Sequence, residues 1–142
     1  MSTSRELAEQ IEQLSKTVAA CNKRRAVRYG TTTAQAKLLQ VLARCGSCKM
    51  SDLGRGLQVT PRNVTKLVDR LEQEGLVTRA PHPRDRRATL IRATPSGLEI
   101  AARYASGPTD LEAALDQFPP AERAALRRLL EKLRRNLEID DR

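Results

Sequence analysis

The first 30 residues carry apolar side chains at alternating spacings of four and three residues. This periodicity predicts a helix that begins near Ser4 and bears one apolar seam. The seam consists of Leu7, Ile11, Leu14, Val18 and Cys21. An apolar seam requires a partner surface, which can be supplied by the same chain or by a second subunit. From this helix alone, both arrangements remain open.

A second amphipathic helix is predicted near the C-terminus, after Pro119 and Pro120. Its opposite face is charged, while one stripe is occupied by Leu126, Leu129, Leu130, Leu133 and Leu137. Amphipathic helices at both ends of the chain, flanking a basic centre, favour a dimer that is built from the ends.

Shorter elements are predicted between these two helices. An apolar helix ends before Gly46, and Ser51 is expected to cap a short helix through Leu57. Thr60 followed by Pro61 predicts the start of a longer helix, which runs to about Glu74. Further along the chain, the pattern indicates strands over 76–80 and 88–93, a helix over 95–105 and a short helix around 111–115.

The helix over 62–73 has one apolar and one polar side. The apolar side, expected to face the core, holds Val64, Leu67, Val68 and Leu71. The opposite arc holds Arg62, Lys66, Asp69, Arg70 and Gln73, flanked by Asn63 and Thr65. Apart from Asp69, whose carboxylate only accepts, these side chains can donate to phosphates or to base edges, which predicts a DNA recognition helix. An ordinary solvated helix face is the alternative for any single amphipathic helix.

The stretch HPRDRRATLIRATPSG, residues 82–97, contains four arginines that are expected to occupy the loop of a hairpin. Pro81 and Pro83 stiffen the approach to this loop. Asp85 is expected to accept from a guanidinium, most favourably that of Arg87, and so fix its direction. An extended arginine at a hairpin tip can enter a narrow minor groove. A disordered charged turn is the alternative.

Composition and charge narrow the class of partner. The 142 residues are 39% hydrophobic and 30% charged, which suits one globular fold unit without a membrane span. The net charge is +9, and residues 1–93 carry 18 Lys and Arg against 8 Asp and Glu. This concentrated positive field favours a polyanion, because each neutralised phosphate releases counterions. Aromatic residues make up only 2%, so duplex DNA is favoured over a platform that stacks single-stranded bases.

Residues 59–97, VTPRNVTKLVDRLEQEGLVTRAPHPRDRRATLIRATPSG, resemble the multiple-antibiotic-resistance regulator (MarR) family of winged helix-turn-helix transcription factors. The helices predicted on either side of this stretch match the family in their order along the chain more than in their sequence. The resemblance implies a mainly α fold with a small β-wing, in which the N- and C-terminal helices interlock two chains. It divides the chain into a dimerisation helix (1–30), a DNA-binding lobe (31–94) and C-terminal dimerisation helices (95–142).

The resemblance also assigns site residues. The recognition helix would comprise Thr60, Pro61, Arg62, Asn63, Thr65, Lys66 and Arg70. The wing would comprise Arg84, Asp85, Arg86 and Arg87, with Arg87 as the minor-groove arginine and His82 in place of the family's first aspartate. The dimer interface would comprise Leu7, Ile11, Leu14, Val18, Leu126, Leu130, Leu133 and Leu137.

Cys45 and Cys48 share the spacing of redox motifs and of half a zinc site. A thioredoxin-like enzyme would carry this motif at the start of a helix, whereas here it follows one. Zinc requires about four ligands, and only Cys21 and His82 remain. The alternatives are two structural thiols or a redox-sensing pair, and neither a metal nor a cofactor is expected.

With a single histidine, no catalytic triad can be assembled, so the chain is not expected to be an enzyme. The N-terminus lacks the apolar block of a signal peptide, which favours a cytoplasmic location. The favoured function is a sequence-specific regulator of double-stranded DNA. The resemblance to the MarR family implies that it is a homodimeric repressor on a pseudo-palindromic operator, released by a small-molecule effector or an oxidant. The alternative is an architectural protein that binds DNA without sequence preference.

Overall fold

The computed structural model describes residues 1–57, 59–107 and 109–139, which form seven helices and three strands. The helices are α1 (Ser4–Arg28), α2 (Thr33–Cys45), α3 (Met50–Leu57), α4 (Pro61–Gln73), α5 (Pro95–Ala105), α6 (Asp110–Asp116) and α7 (Pro120–Ile139). The strands are β1 (Ser47–Lys49), β2 (Val77–Pro81) and β3 (Thr89–Ala93). Two compact units divide the chain, one holding residues 1–107 and the other holding α6 and α7. No helix in the described ranges is long and apolar enough to cross a membrane.

Side-chain caps determine where the helices begin. Thr3 and Glu6 form a reciprocal capping box at the start of α1, and Thr32 and Gln35 form another at α2. The predicted start of α4 is confirmed, since the Thr60 hydroxyl accepts from the Asn63 N–H at 3.3 Å and Pro61 is the first helical residue. The prediction that Ser51 caps α3 is wrong, because α3 begins at Met50 and Ser51 lies inside the helix.

The three strands form one antiparallel sheet in the order β1-β3-β2. The two predicted strands are confirmed as β2 and β3, and Val77 pairs with Ala93 in their register. The third strand, β1, adds to the other edge of β3, with Cys48 opposite Ile91. Arg92 lies within β3, so only three of the four predicted loop arginines lie outside a strand.

The core of the first unit surrounds α2. It contains the predicted apolar side of α4, although Leu67 is only partly buried. The fully buried side chains of the largest volume are Leu38, Leu39, Leu42, Leu53, Leu71, Ile91, Val64, Val68 and Val77. Burying such aliphatic side chains stabilises a fold by about 1.5–3 kcal/mol each. This core therefore fixes α3, α4 and the sheet relative to one another.

Arg25 ties α1 to the C-terminal end of α5. Its buried guanidinium donates to the carbonyl oxygens of Tyr104 and Ser106, at 3.3 Å for Ser106. It also lies 4.7 Å from the centre of the Tyr104 ring, which Tyr29 meets edge-on. A buried cation is costly unless its donors are satisfied, and here carbonyl oxygens and a ring face satisfy it. The end of α1 is thus held against α5 within the first unit.

The second unit consists of α6 and α7. Thr109 and Glu112 form a capping box at α6, and Arg123 of α7 pairs with Asp116 at 3.2 Å. The segment between the helices predicted over 95–105 and around 111–115 includes Pro108, which lies outside the described residues. The domain boundaries at 30 and 94 remain predictions.

Candidate nucleic-acid interface

The polar arc of α4 faces solvent. All seven residues predicted for this arc and its flanks are exposed, namely Arg62, Asn63, Thr65, Lys66, Asp69, Arg70 and Gln73. The opposite side is anchored by Val64, Val68 and Leu71, which are 1% exposed or less. A rigid helix therefore presents a polar surface that is available to a partner.

The members of this arc differ in how free their side chains are. The Thr65 hydroxyl donates to the Pro61 carbonyl at 3.0 Å, and Arg70 pairs with Glu74 at 3.2 Å. Within the described ranges, Arg62 and Lys66 take part in no ion pair. These two cations need not give up an internal contact to meet a phosphate or a base edge.

His82 organises the loop between β2 and β3. Its Nδ1 accepts from the backbone N–H groups of Arg84 and Asp85, each at 3.0 Å. An aspartate carboxylate at this position could accept from the same backbone groups. The imidazole therefore supplies the acceptor that the family's first aspartate would provide.

Asp85 acts on the loop backbone. Its Oδ1 accepts from the backbone N–H of Arg87 at 3.1 Å, and its carbonyl oxygen accepts from the Ala88 N–H at 3.1 Å. The predicted pairing with a guanidinium is absent from the described residues. The reason is local, because the carboxylate is close enough to close a turn on the N–H two residues ahead. Asp85 therefore fixes the Arg87 backbone and leaves its exposed guanidinium free.

The loop between β2 and β3 and helix α4 meet at one hollow of about 450 Å³. Arg87 and Asp85 line it from the loop, Thr65 lines it from α4, and Met50 and Gly54 line it from α3. The structure thus brings Thr65, Asp85 and Arg87 together. Arg84 and Arg86 are exposed and do not line this hollow, and Arg86 lines a separate one with Arg79.

Arg79 on β2 was not predicted as a site residue. Its guanidinium contacts the carboxylates of two α4 residues, Asp69 and Glu72, with 3.4 Å to Glu72. The two carboxylates are one helical turn apart on α4, whereas the arginine follows a tight turn on another element. No local spacing signals such a contact, because it arises only when β2 folds back along α4.

Apolar faces of α1 and α7 are exposed. Leu7, Ile11 and Leu14 of the α1 seam are 47–57% exposed, while Val18 is half-buried. The α7 stripe of Leu126, Leu129, Leu130, Leu133 and Leu137 is 37–67% exposed. Each helix thus carries its own row of exposed apolar side chains, and such rows are typical of interaction sites.

Cys45, at the end of α2, and Cys48, on β1, are both free thiols. Partial burial raises the pKa of the Cys48 thiol, and the neighbouring Cys45 thiol and the charge of Asp52 act in the same direction. A raised pKa keeps the thiol protonated at neutral pH, and the thiolate is the reactive form. These features favour a structural role for Cys48.

We therefore expect the wild type and Cys48→Ser to respond alike to peroxide, within about twofold in duplex binding, because little Cys48 thiolate is available. Binding to duplex DNA, measured before and after treatment with hydrogen peroxide, checks this for the wild type and for Cys48→Ser. Peroxide-induced loss of binding in the wild type but not in Cys48→Ser would instead show that the thiol pair senses oxidants.

The short helix α3, the tight turn, the exposed cationic helix α4 and the arginine-bearing loop of the sheet define a winged helix-turn-helix protein. The MarR family model matches residues 31–89. The multiple antibiotic resistance protein MarR of Salmonella typhimurium is 32% identical over 104 residues, which cover 72% of each chain. The chain belongs to the MarR family.

Other comparisons agree with this assignment. The HTH-type transcriptional repressor MdtR of Bacillus subtilis is 37% identical over 70 residues, covering 49% of this chain and 45% of that one. The crystal structure of a mutant MarR from E. coli, complexed with operator DNA, superposes with a TM-score of 0.77 at 25% identity, covering 89% of this chain and 92% of that one. The chain spans 45–66% of the length of the first three curated relatives it matches.

Proposed function

We propose that this chain is a homodimeric transcriptional repressor that binds a pseudo-palindromic operator in duplex DNA with sequence specificity. The observation that carries the proposal is the exposed cationic arc of α4, which meets an arginine-bearing wing loop at one hollow. Membership of the MarR family and the likeness to a MarR bound to operator DNA support it.

The geometry of α4 supports direct contact with base edges. A helix fits the major groove of B-DNA, where each base pair presents a distinct pattern of donors and acceptors. Arg62 and Lys66 are exposed cations that can approach guanine, and Asn63 can approach adenine. Arg87, on a loop fixed by His82 and Asp85, would lie in the adjacent minor groove, where the potential is most negative.

The exposed apolar faces of α1 and α7 support the dimer. A symmetric interface uses the same surface on both chains, so each exposed leucine would be covered in two copies. Two recognition helices presented in this way would contact half-sites about one duplex turn apart.

A groove between α2 and α5 supports release by a small molecule. It encloses about 340 Å³ and is lined by Leu98, by alanines of both helices and by the polar Gln40 and Arg44. Mainly apolar hollows of this size, with a few polar groups, hold small ligands. An acidic or neutral effector would suit the cationic Arg44 side chain.

A competition experiment tests specific regulation against architectural binding. The chain is first used to select duplexes from a random pool, and the selected duplex is then challenged with unrelated duplex. A specific regulator should prefer the selected sequence by about a thousandfold or more. Equal competition by unrelated duplex would favour an architectural protein, which binds through phosphates alone.

Arg62→Ala should cost roughly 1–3 kcal/mol of binding to the selected duplex and relax the preference at one base position. The reason is the loss of a guanidinium that can bond a base edge from the exposed arc of α4. Repeating the selection with the variant measures both effects. Arg128→Ala, which removes an equal charge from the exposed surface of α7, is the matched control and should leave the preference intact. If Arg62→Ala lost the same affinity for every duplex sequence, Arg62 would be a phosphate contact and would not read a base.

A further inference from the structure

The C-terminal half of the recognition helix carries more negative than positive charge. Asp69 and Glu72 lie there and Glu74 is the C-cap, against one cation, Arg70. Asp69, Arg70 and Glu74 line the same hollow of about 420 Å³ beside α4 as Lys66, and Asp69 belongs to the exposed arc. A duplex seated on this helix would bring its phosphates toward these carboxylates. Without a nearby positive charge, these carboxylates would repel the duplex.

Arg79 compensates two of these charges. One of its terminal nitrogens contacts the Asp69 carboxylate, and the other lies 3.4 Å from Glu72 Oε1. The Arg79 side chain is only 30% exposed, while those of Asp69 and Glu72 are 50% and 42% exposed. The more buried cation therefore holds both carboxylates on the side of α4 that faces β2.

The position of Arg79 also limits its guanidinium to contacts with these two carboxylates. It lies within β2, where it pairs in register with Ile91, and its Nε is buried with no hydrogen-bond partner in the described part of the chain. A guanidinium held in this way, with both terminal nitrogens near carboxylates, is poorly placed to contact a phosphate itself. Its effect on DNA must then pass through Asp69 and Glu72.

We propose that Arg79 is a positioning residue for the DNA-binding surface, because it holds the carboxylates of Asp69 and Glu72 against β2 and away from the phosphates of the duplex. This inference rests on the proposed function and adds a residue outside the recognition helix and the wing loop. The same contact fixes a wing strand to the recognition helix, so one side chain would serve both DNA-contacting elements.

The proposal is tested by removing the charge of Arg79 and then neutralising the two carboxylates that it pairs with. Arg79→Gln should weaken binding to the selected duplex by about tenfold or more, since two unpaired carboxylates then face the phosphates. Adding Asp69→Asn and Glu72→Gln to this variant should restore binding to within about threefold of the wild type. Arg103→Gln, which breaks the exposed pair with Glu99, removes the same formal charge from α5 and serves as the control.

Three results would overturn the proposal. In the first, Arg79→Gln binds the duplex no worse than Arg103→Gln. In the second, the triple variant does not recover binding, which would indicate that Arg79 contacts a phosphate directly or that the fold is lost. In the third, the loss of duplex binding by Arg79→Gln does not change with salt concentration, whereas repulsion between charges is screened as salt rises. Thermal melting checks that each variant is folded, and the triple variant alone decides the question if Arg79→Gln unfolds. Failure of the wild type to bind any duplex would instead refute the proposed function.

Discussion

Leu14→Glu is expected to convert the proposed dimer to monomers and to weaken operator binding by roughly 10²–10⁴-fold, the factor that linking two binding modules commonly provides. Leu14 is 57% exposed in the apolar seam of α1. In a symmetric interface the substitution would bury two unpaired carboxylates, one from each chain, which a small apolar contact cannot compensate. Sedimentation and duplex titration measure the two effects on the same sample.

A control on the same helix separates charge from position. Ala19→Glu adds an identical charge to an exposed residue of α1, about a third of a turn away from the seam. It should leave the mass of the dimer and its affinity for DNA close to those of the wild type. If Leu14→Glu remains a dimer with full affinity, the α1 seam is not the interface.

Gly97→Ala is expected to lower the stability of the first unit by about 3 kcal/mol or more, the upper range of overpacking costs. Gly97 lies in the first turn of α5, and a Cβ there would overlap the Leu76 carbonyl oxygen and lie 3.1 Å from Leu39 Cδ2. The carbonyl belongs to the backbone and also accepts from the Thr94 N–H at 2.9 Å, so it cannot move aside without loss. Thermal unfolding should show a melting temperature lower by roughly 10 °C for a chain of this size.

Gly56→Ala provides the matched control, because this glycine lies within α3 and a Cβ there would have no neighbour within 4 Å. Alanine favours a helix over glycine by up to about 1 kcal/mol, so stability should be unchanged or slightly raised. A Gly97→Ala variant as stable as Gly56→Ala would mean that α5 does not approach the backbone of Leu76 this closely.

Local chemistry explains which elements the sequence predicts. The hydroxyl of Thr60, the ring of Pro61 and the positive φ of Gly75 act within a few residues of themselves, so both ends of α4 follow from the sequence. The apolar side of α4 follows from its periodicity, and Val64, Val68 and Leu71 are buried. The fold class, mainly α with a small β-wing, is confirmed for the same reason, and the resemblance to the MarR family is confirmed by the comparisons.

Contacts between distant segments could not be predicted. Three residues of β1 are too few to carry a strand pattern, and they become a strand only because β3 offers Ile91 and its neighbours as partners. The contacts of Arg79 likewise depend on how β2 returns along α4. In the wing, the sequence indicated that Asp85 pairs with an arginine guanidinium. Its carboxylate instead accepts from the backbone N–H of Arg87, which is closer along the chain. The roles of the site residues in DNA binding remain predictions.

Chemical protection of the selected duplex tests most directly whether paired chains present α4 and the wing to the same double helix. Modification of guanine N7 reports the major groove, and hydroxyl-radical cleavage reports the sugars that border the minor groove. With two chains bound per duplex, we expect two major-groove patches about 10 base pairs apart on one face, each flanked by minor-groove protection. Arg87→Ala should remove the minor-groove protection alone. A single patch, or uniform protection along the whole duplex, would contradict the account.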